Sequence, residues 1–242
     1  MGQTMVRIVA PGRKTISPKG VKQVTVTHPP GDKEGLTLNS TIKADGTTLA
    51  AEILFKTSAK GGKPSDSFVG KLDAPENVII KSAPKAWWNG LFDFEYIETA
   101  FPVYQEFTVL LRDNFSVHKS QQSVEKLEAR NVHQIAIPPG MTGRWQPLDV
   151  SRKWSFKEAF KEEYRHWQRN KISFFNSGNL RKPGKKEFVT FVSIAWDNIK
   201  PEAVENSFYA AQILRKDDSF VNVAAGETVE QDNNILDCSF FN

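Results

Sequence analysis

Two carboxylates, Asp113 and Asp149, each follow an apolar run that stops at a turn. Asp113 follows the apolar run Phe107 to Arg112, and Asp149 closes the stretch Ile137-Pro138-Pro139-Gly140 to Gln146-Pro147-Leu148. Two carboxylates brought close repel one another unless a positive charge sits between them. Oxygen donors without clustered Cys or His favour Mg²⁺ or Mn²⁺ over zinc. From spacing alone a plainer role is simpler: Asp113 caps a turn through Asn114, and Asp149 caps the helix that follows.

The elements that must position this pair read as a βαβ unit. Residues 107–112 and the run opening near His133 are short apolar segments bounded by turn residues, which predicts buried strands. Between them, Ser123 to Asn131 carries Val124, Leu127 and Ala129 among charged residues, a short amphipathic helix. Strand, helix, strand predicts two parallel neighbours. Their carboxyl ends then share one edge, the usual place for chemistry in an open α/β sheet. Asp113 and Asp149 can meet there although they are 36 positions apart.

The wording of these segments adds a family likeness. Asp113-Asn114-x-x-x-His118 after an apolar strand, then Pro-Pro-Gly and Gln146-Pro147-Leu148-Asp149, resembles the DDE superfamily endonuclease domain of pogo/Tigger/jerky-like transposases in the mariner superfamily. Gln3 to Arg7, Ala44-Asp45-Gly46-Thr47 with Ile53 to Lys56, and Trp87 to Phe92 resemble further landmarks in family order. The likeness covers roughly residues 1–215. It implies an α/β, ribonuclease H-like mixed sheet flanked by helices, and a three-acid, two-metal site that cuts and joins DNA strands. Asp113 then matches the second acid and Asp149 the third, both as catalytic metal ligands for Mg²⁺ or Mn²⁺, with Asn114 and His118 in support.

The first acid is where the sequence departs. The matching stretch is Met1-Gly2-Gln3-Thr4, with Gly2 at the acid's position. Glycine has no ligand atom, so one bridging carboxylate is absent. The likeness also implies that the first central strand, which carries this acid, lies before residue 1 and is missing, an amino-terminal truncation. Weak or no strand cleavage is the expectation. The alternative is a non-catalytic DNA-binding or interaction protein derived from a transposase, resembling centromere protein B.

Composition agrees with a globular protein. The 242 residues are 39% hydrophobic and 25% charged, enough chain for one large domain or two small ones. The single cysteine, Cys238, excludes an internal disulfide and fits a reducing compartment. No stretch reads as a membrane span or an apolar signal core. An intracellular protein, nuclear on the family likeness, is the expectation.

The net charge of +4 is unevenly spread. Between Arg144 and Lys186 twelve Lys and Arg face four Asp and Glu. A basic block after a metal-site carboxylate suits a phosphate backbone, so DNA is the expected partner, with Arg144, Lys153, Lys157, Lys161 and Arg165 as its contacts. A solvated helix face explains the same charges. Homodimerisation is left open. Residues 217–242 hold six acids and no base, which predicts a disordered acidic tail, 216–242, after the 1–215 domain.

Elsewhere, residues 5–20 read as a loop. Strands are expected at Val21–Thr27, Leu36–Ile42 and Ala51–Lys56, an antiparallel meander, with a short extended segment at Val78–Ile80. Gly61 to Pro64 reads as a flexible loop, with Lys60 and Lys63 solvated. A helix is expected from Leu91 to about Phe101. Trp87 and Trp88 before it suit either stacking on bases or, more simply, closing a core. His118 suits either a substrate phosphate or metal-bound water, or a hydrogen bond that holds the loop after Asp113. Val150 to Asn170 predicts a long helix with Phe156, Phe160, Tyr164 and Trp167 on one face and Asp149 at its start. Arg181 to Lys186 suits an interhelical loop, a phosphate contact or a nuclear-import signal. Two packing helices follow, through Phe188 to Trp196 and from Pro201.

Overall fold

The computed structural model describes residues 1–9, 18–22, 34–57, 64–150, 155–171, 173–176 and 180–215. Three expectations fall outside them: most of the strand Val21–Thr27, the loop 61–63 with Lys60 and Lys63, and the tail 216–242. Lys153 also lies outside the described residues.

The described residues form a mixed α/β fold. A four-stranded sheet runs β1 (Gly2–Arg7), β2 (Gly35–Ser40), β3 (Ala51–Lys56), β4 (Val78–Ala83) in that order. The first two pairings are antiparallel and β3–β4 is parallel. Between β3 and β4 lies α1 (Asp66–Leu72), capped by the Ser65 hydroxyl accepting from the Phe68 amide. The meander is therefore present with a different first strand: residues 5–7, expected as loop, belong to β1. The turn into β3 is fixed by Asp45, whose Oδ1 accepts from the Thr47 amide at 2.9 Å, and by Gly46 at φ 85°.

The expected βαβ unit forms. β5 (Thr108–Arg112) and β6 (Val132–Ala136) are parallel, joined by the 3-10 turn Ser116–Lys119 and α3 (Gln121–Glu128). It stands as a second, two-stranded sheet. The Met1 nitrogen links the two sheets by donating to the Leu111 carbonyl at 3.1 Å. Over this unit packs α2 (Gly90–Ala100), capped by Asn89, whose side chain accepts from the Leu91 and Phe92 amides.

β3 reads Ala-Glu-Ile-Leu-Phe-Lys and is buried everywhere but its last residue. Strand alternation divides it between two cores. Ile53 and Phe55 face one cluster with α6 (Ser155–Lys171), α7 (Lys185–Asp197) and α8 (Pro201–Ala210). Leu54 faces the other, with Phe92, Tyr96, Ile97, Leu110, Leu127 and Val132. The aromatic stripe of α6 is buried as its spacing predicts: Phe160 meets Phe188 with ring centres 5.4 Å apart, and Phe156 meets Trp196 at 5.9 Å. Such rings are worth about 3–5 kcal/mol each on truncation.

The long helix starts later than its sequence suggests. Residues 147–150 form a separate turn, α5 (Pro147–Val150), preceded by the short α4 (Thr142–Trp145), and α6 begins at Ser155. Asp149 thus sits on α5 rather than at the mouth of α6.

Candidate active site

Asp113 is the first residue beyond β5, and its loop is held by its own side chain. Oδ1 accepts from the Phe115 amide at 3.3 Å. The 3-10 turn that follows brings His118 under the carboxylate, with Nδ1 2.7 Å from Oδ1. Burial pushes Asp113 up, but the His118 ring, the Phe115 amide and the Arg112 charge together hold its pKa below the ordinary carboxylate value. Asn114 is half-buried in the same loop.

His118 is completely buried, edge-on to Phe115 with ring centres 5.5 Å apart. It meets no solvent, so its direct reach is to Asp113 and not to a substrate. Its Nε2 faces Oδ1 of Asp93 at 3.7 Å.

Asp93 is a residue that sequence reasoning missed. It lies fully buried on α2 and accepts from Trp88 Nε1 at 3.0 Å and from Ser123 Oγ at 2.7 Å. It also pairs with Arg112 Nη2, an equally buried cation at the end of β5. Arg112 Nη1 donates to Gln134 Oε1 at 3.0 Å, and Gln134 Nε2 donates to the His118 carbonyl at 2.7 Å. One polar network therefore ties α2, β5, β6 and α3 beneath Asp113. The signal available was an acid inside the otherwise apolar run Leu91-Phe92-Asp93-Phe94 and an arginine ending a buried strand. Charges in such places need partners.

Asp149 approaches from α5. The turn is set by the Asp149 and Val150 amides, both donating to the Gln146 carbonyl, at 2.8 and 3.0 Å. Partial desolvation pushes the Asp149 carboxyl up, the Lys157 charge pulls it down, and the charge of Asp113 pushes it up further. The charges of Lys157 and Asp113 thus act on Asp149 in opposite senses.

Gly2 lies against this turn too. A Cβ at position 2 would stand 2.2 Å from Gln146 Nε2 and 3.2 Å from Leu148 Cδ1. Gln146 is buried; its Nε2 faces the Met1 carbonyl at 3.5 Å, and its Oε1 has no hydrogen-bond partner among the described residues. The glutamine amide occupies the room that a larger residue at position 2 would claim.

The basic residues are placed unequally. Arg144 is exposed on α4, and Lys157, Lys161 and Arg165 are exposed on α6. Lys161 pairs with Glu158, and Arg165 with Glu162 at 3.1 Å, so much of that face is neutralised within the helix itself.

Asp113 and Asp149 are the donors that suit a hard divalent cation. Among the described residues no group of three or more His, Cys, Asp or Glu side chains could hold a metal ion. Asp113 and Asp149 are the two candidate donors, and Gly2 adds none. Among the same residues no helix is long and apolar enough to cross a membrane.

The chain is similar to known proteins. Over 217 residues, 87% of its length, the chain is 22% identical to the human protein named "Pogo transposable element with KRAB domain" and 21% identical to the mouse protein of that name. It spans about a third of the length of these curated relatives, 34% in each case. No solved structure matches it. Residues 41–208 match the DDE superfamily endonuclease family, whose members generally use divalent metals. By that match, which takes in β3 to α8 and both Asp113 and Asp149, the chain belongs to the DDE superfamily endonucleases.

Proposed function

We propose that this transposase-derived domain binds DNA in the nucleus, with a divalent cation, Mg²⁺ or Mn²⁺, held between Asp113 and Asp149, and that its strand-cleaving chemistry is weak or absent. The reading is supported by the placement of Asp113 directly after β5 and of Asp149 on α5, with the charge of Asp113 among the causes that raise the Asp149 pKa. In this reading the chain is ribonuclease H-like.

A divalent ion bound there supplies polarisation of a phosphoryl oxygen and activation of water or a 3′-hydroxyl. The chain's own residues do the rest. His118 and the Phe115 amide fix one oxygen of Asp113, leaving the other to face the cation. Lys157 and Arg144 offer positive charge to the phosphates on either side. Gly2 leaves the cation without a third carboxylate, and Gln146 fills the space instead. Asp113 and Asp149 alone would hold a bound cation with an incomplete set of carboxylates, which would favour screening of phosphate charge over stabilisation of attack.

The test is Mn²⁺ binding by titration calorimetry alongside nicking of supercoiled plasmid in Mg²⁺ or Mn²⁺. Stoichiometric Mn²⁺ binding lost in Asp113→Ala and in Asp149→Ala, with little nicking, is the expected result. Binding indifferent to both substitutions removes the metal site. Robust nicking abolished by Asp113→Ala removes the impairment. Salt-sensitive DNA binding untouched by Asp149→Ala, with no Mn²⁺ bound, favours the non-catalytic reading instead.

A further inference from the structure

The segment between β4 and α2 sends two adjacent tryptophans in opposite directions. Trp88 is only 6% exposed, with Nε1 on Asp93. Trp87 is 73% exposed, an unusual state for so large an apolar side chain. Just before them Ala86 adopts φ 51°, a left-handed conformation that is unfavourable for a residue with a Cβ. Thr37 Oγ1 holds it there by donating to the Ala86 carbonyl at 2.7 Å, and the Ala86 amide donates to the Ala83 carbonyl at 3.3 Å. Strain maintained by the surrounding fold often marks a functional segment.

Trp87 stands over an open groove of about 350 Å³ whose walls also include Met5, Lys85, Phe115 and Asp113. Met5 is 63% exposed, and Lys85 is exposed beside Trp87. The groove thus combines an aromatic plate, apolar side walls and a lysine, and it runs into the carboxylate assigned to the cation. We propose that Trp87 is a stacking platform for an unpaired nucleobase of the DNA strand whose phosphate lies at Asp113. A base in a duplex has both faces covered by its neighbours, so a base reaching this plate must be single-stranded, terminal or turned out of the helix. Lys85 is placed to meet the phosphate of that nucleotide. The occupant is nucleic acid rather than a protein segment because the groove is continuous with Asp113, where the backbone phosphate is held. The inference rests on the DNA reading above.

The experiment compares a blunt duplex with the same duplex bearing a short single-stranded extension that contains 2-aminopurine, using the full chain. The extension is expected to raise affinity and its fluorescence to be quenched on binding. Trp87→Ala should weaken binding of the extended DNA roughly tenfold, leave the blunt duplex unaffected and abolish the quench, and Trp87→Phe should restore most of both. Equal affinities of wild type and Trp87→Ala for the extended DNA, or equal losses on both DNAs, overturn the proposal while the DNA reading stands. Failure of the wild type to bind either DNA at low salt overturns both together.

Discussion

His118 sits between two acids: its Nδ1 lies 2.7 Å from Asp113 Oδ1, and its Nε2 faces Asp93 Oδ1 at 3.7 Å. The ring is the link between a half-buried carboxylate and a network whose charged members, Asp93 and Arg112, are wholly buried. Removing it releases Asp113 from its orientation without touching a ligand atom. His118→Ala should weaken Mn²⁺ binding by about tenfold or more, with His118→Asn recovering part of the loss. Calorimetric titration checks this, and equal affinities in all three proteins would leave the ring as packing alone.

Asp93 neutralises Arg112 where neither meets water. Asp93→Ala leaves that guanidinium, and the Trp88 and Ser123 donors, without their shared acceptor. The expected loss is about 3–5 kcal/mol of stability, read as a fall in the urea midpoint. Asp93→Asn should lose less, since it keeps an acceptor. A variant as stable as wild type would mean the pair contributes nothing to the fold.

Glu52 gives the fold a pH dependence of definite sign. It is buried between Lys81, at 3.1 Å, and Asn39 Nδ2, also at 3.1 Å. Burial pushes its pKa above the ordinary 4.5 despite the Lys81 charge. The folded chain therefore keeps a proton that the unfolded chain releases, and this contribution to stability falls as pH rises from 4.5 through the raised value. Glu52→Gln should flatten the stability curve across that window. Unfolding midpoints measured from about pH 4 to about pH 7 decide it, a parallel pair of curves being the contrary result.

Gly2 has no room to grow. Gly2→Ala drives a methyl into the Gln146 amide, at an expected cost of about 1–3 kcal/mol. In a Gln146→Ala background the same change should cost close to nothing, so the two substitutions couple. Simple additivity in a double-mutant cycle would show that the clash is relieved elsewhere.

Lys157 should matter more for DNA than its neighbours on α6. It acts on Asp149, whereas Lys161 and Arg165 are engaged by Glu158 and Glu162. Lys157→Ala should lower the slope of log affinity against log salt by about one, and Lys161→Ala by less. Equal slopes for the two variants would place the DNA elsewhere.

The parts of this fold that were legible in sequence are those whose residue pattern is local. The β5–α3–β6 unit shows as two apolar runs around an amphipathic segment, and the α6 stripe shows as four aromatics at helical spacing. β1 was not legible because Gln3 to Arg7 alternates weakly and precedes a loop-like stretch. Helix α1 buries only Leu72 and so leaves little apolar trace. Nor does local pattern reveal that β4 lies parallel to β3, since that pairing depends on a crossover. Asp113 and Asp149 stand out as candidates in the sequence because each follows an apolar run. The Asp93–Arg112 pair does not, because its members meet only once α2 packs over β5. The helix face read as basic carries acids three positions away that reclaim its charges.

The carboxy-terminal helices hold the sheet from outside. Trp196 Nε1 donates to the Leu49 carbonyl at 2.9 Å, Asn77 Nδ2 reaches Asp197 at 2.7 Å, and Phe188 lies against Phe55. A fragment ending at residue 150 would keep both carboxylates, His118 and Trp87, yet strip the roof from β3 and leave Ile53 and Phe55 facing water. Shortening this protein to its chemically interesting half would produce a sticky remnant rather than a minimal domain.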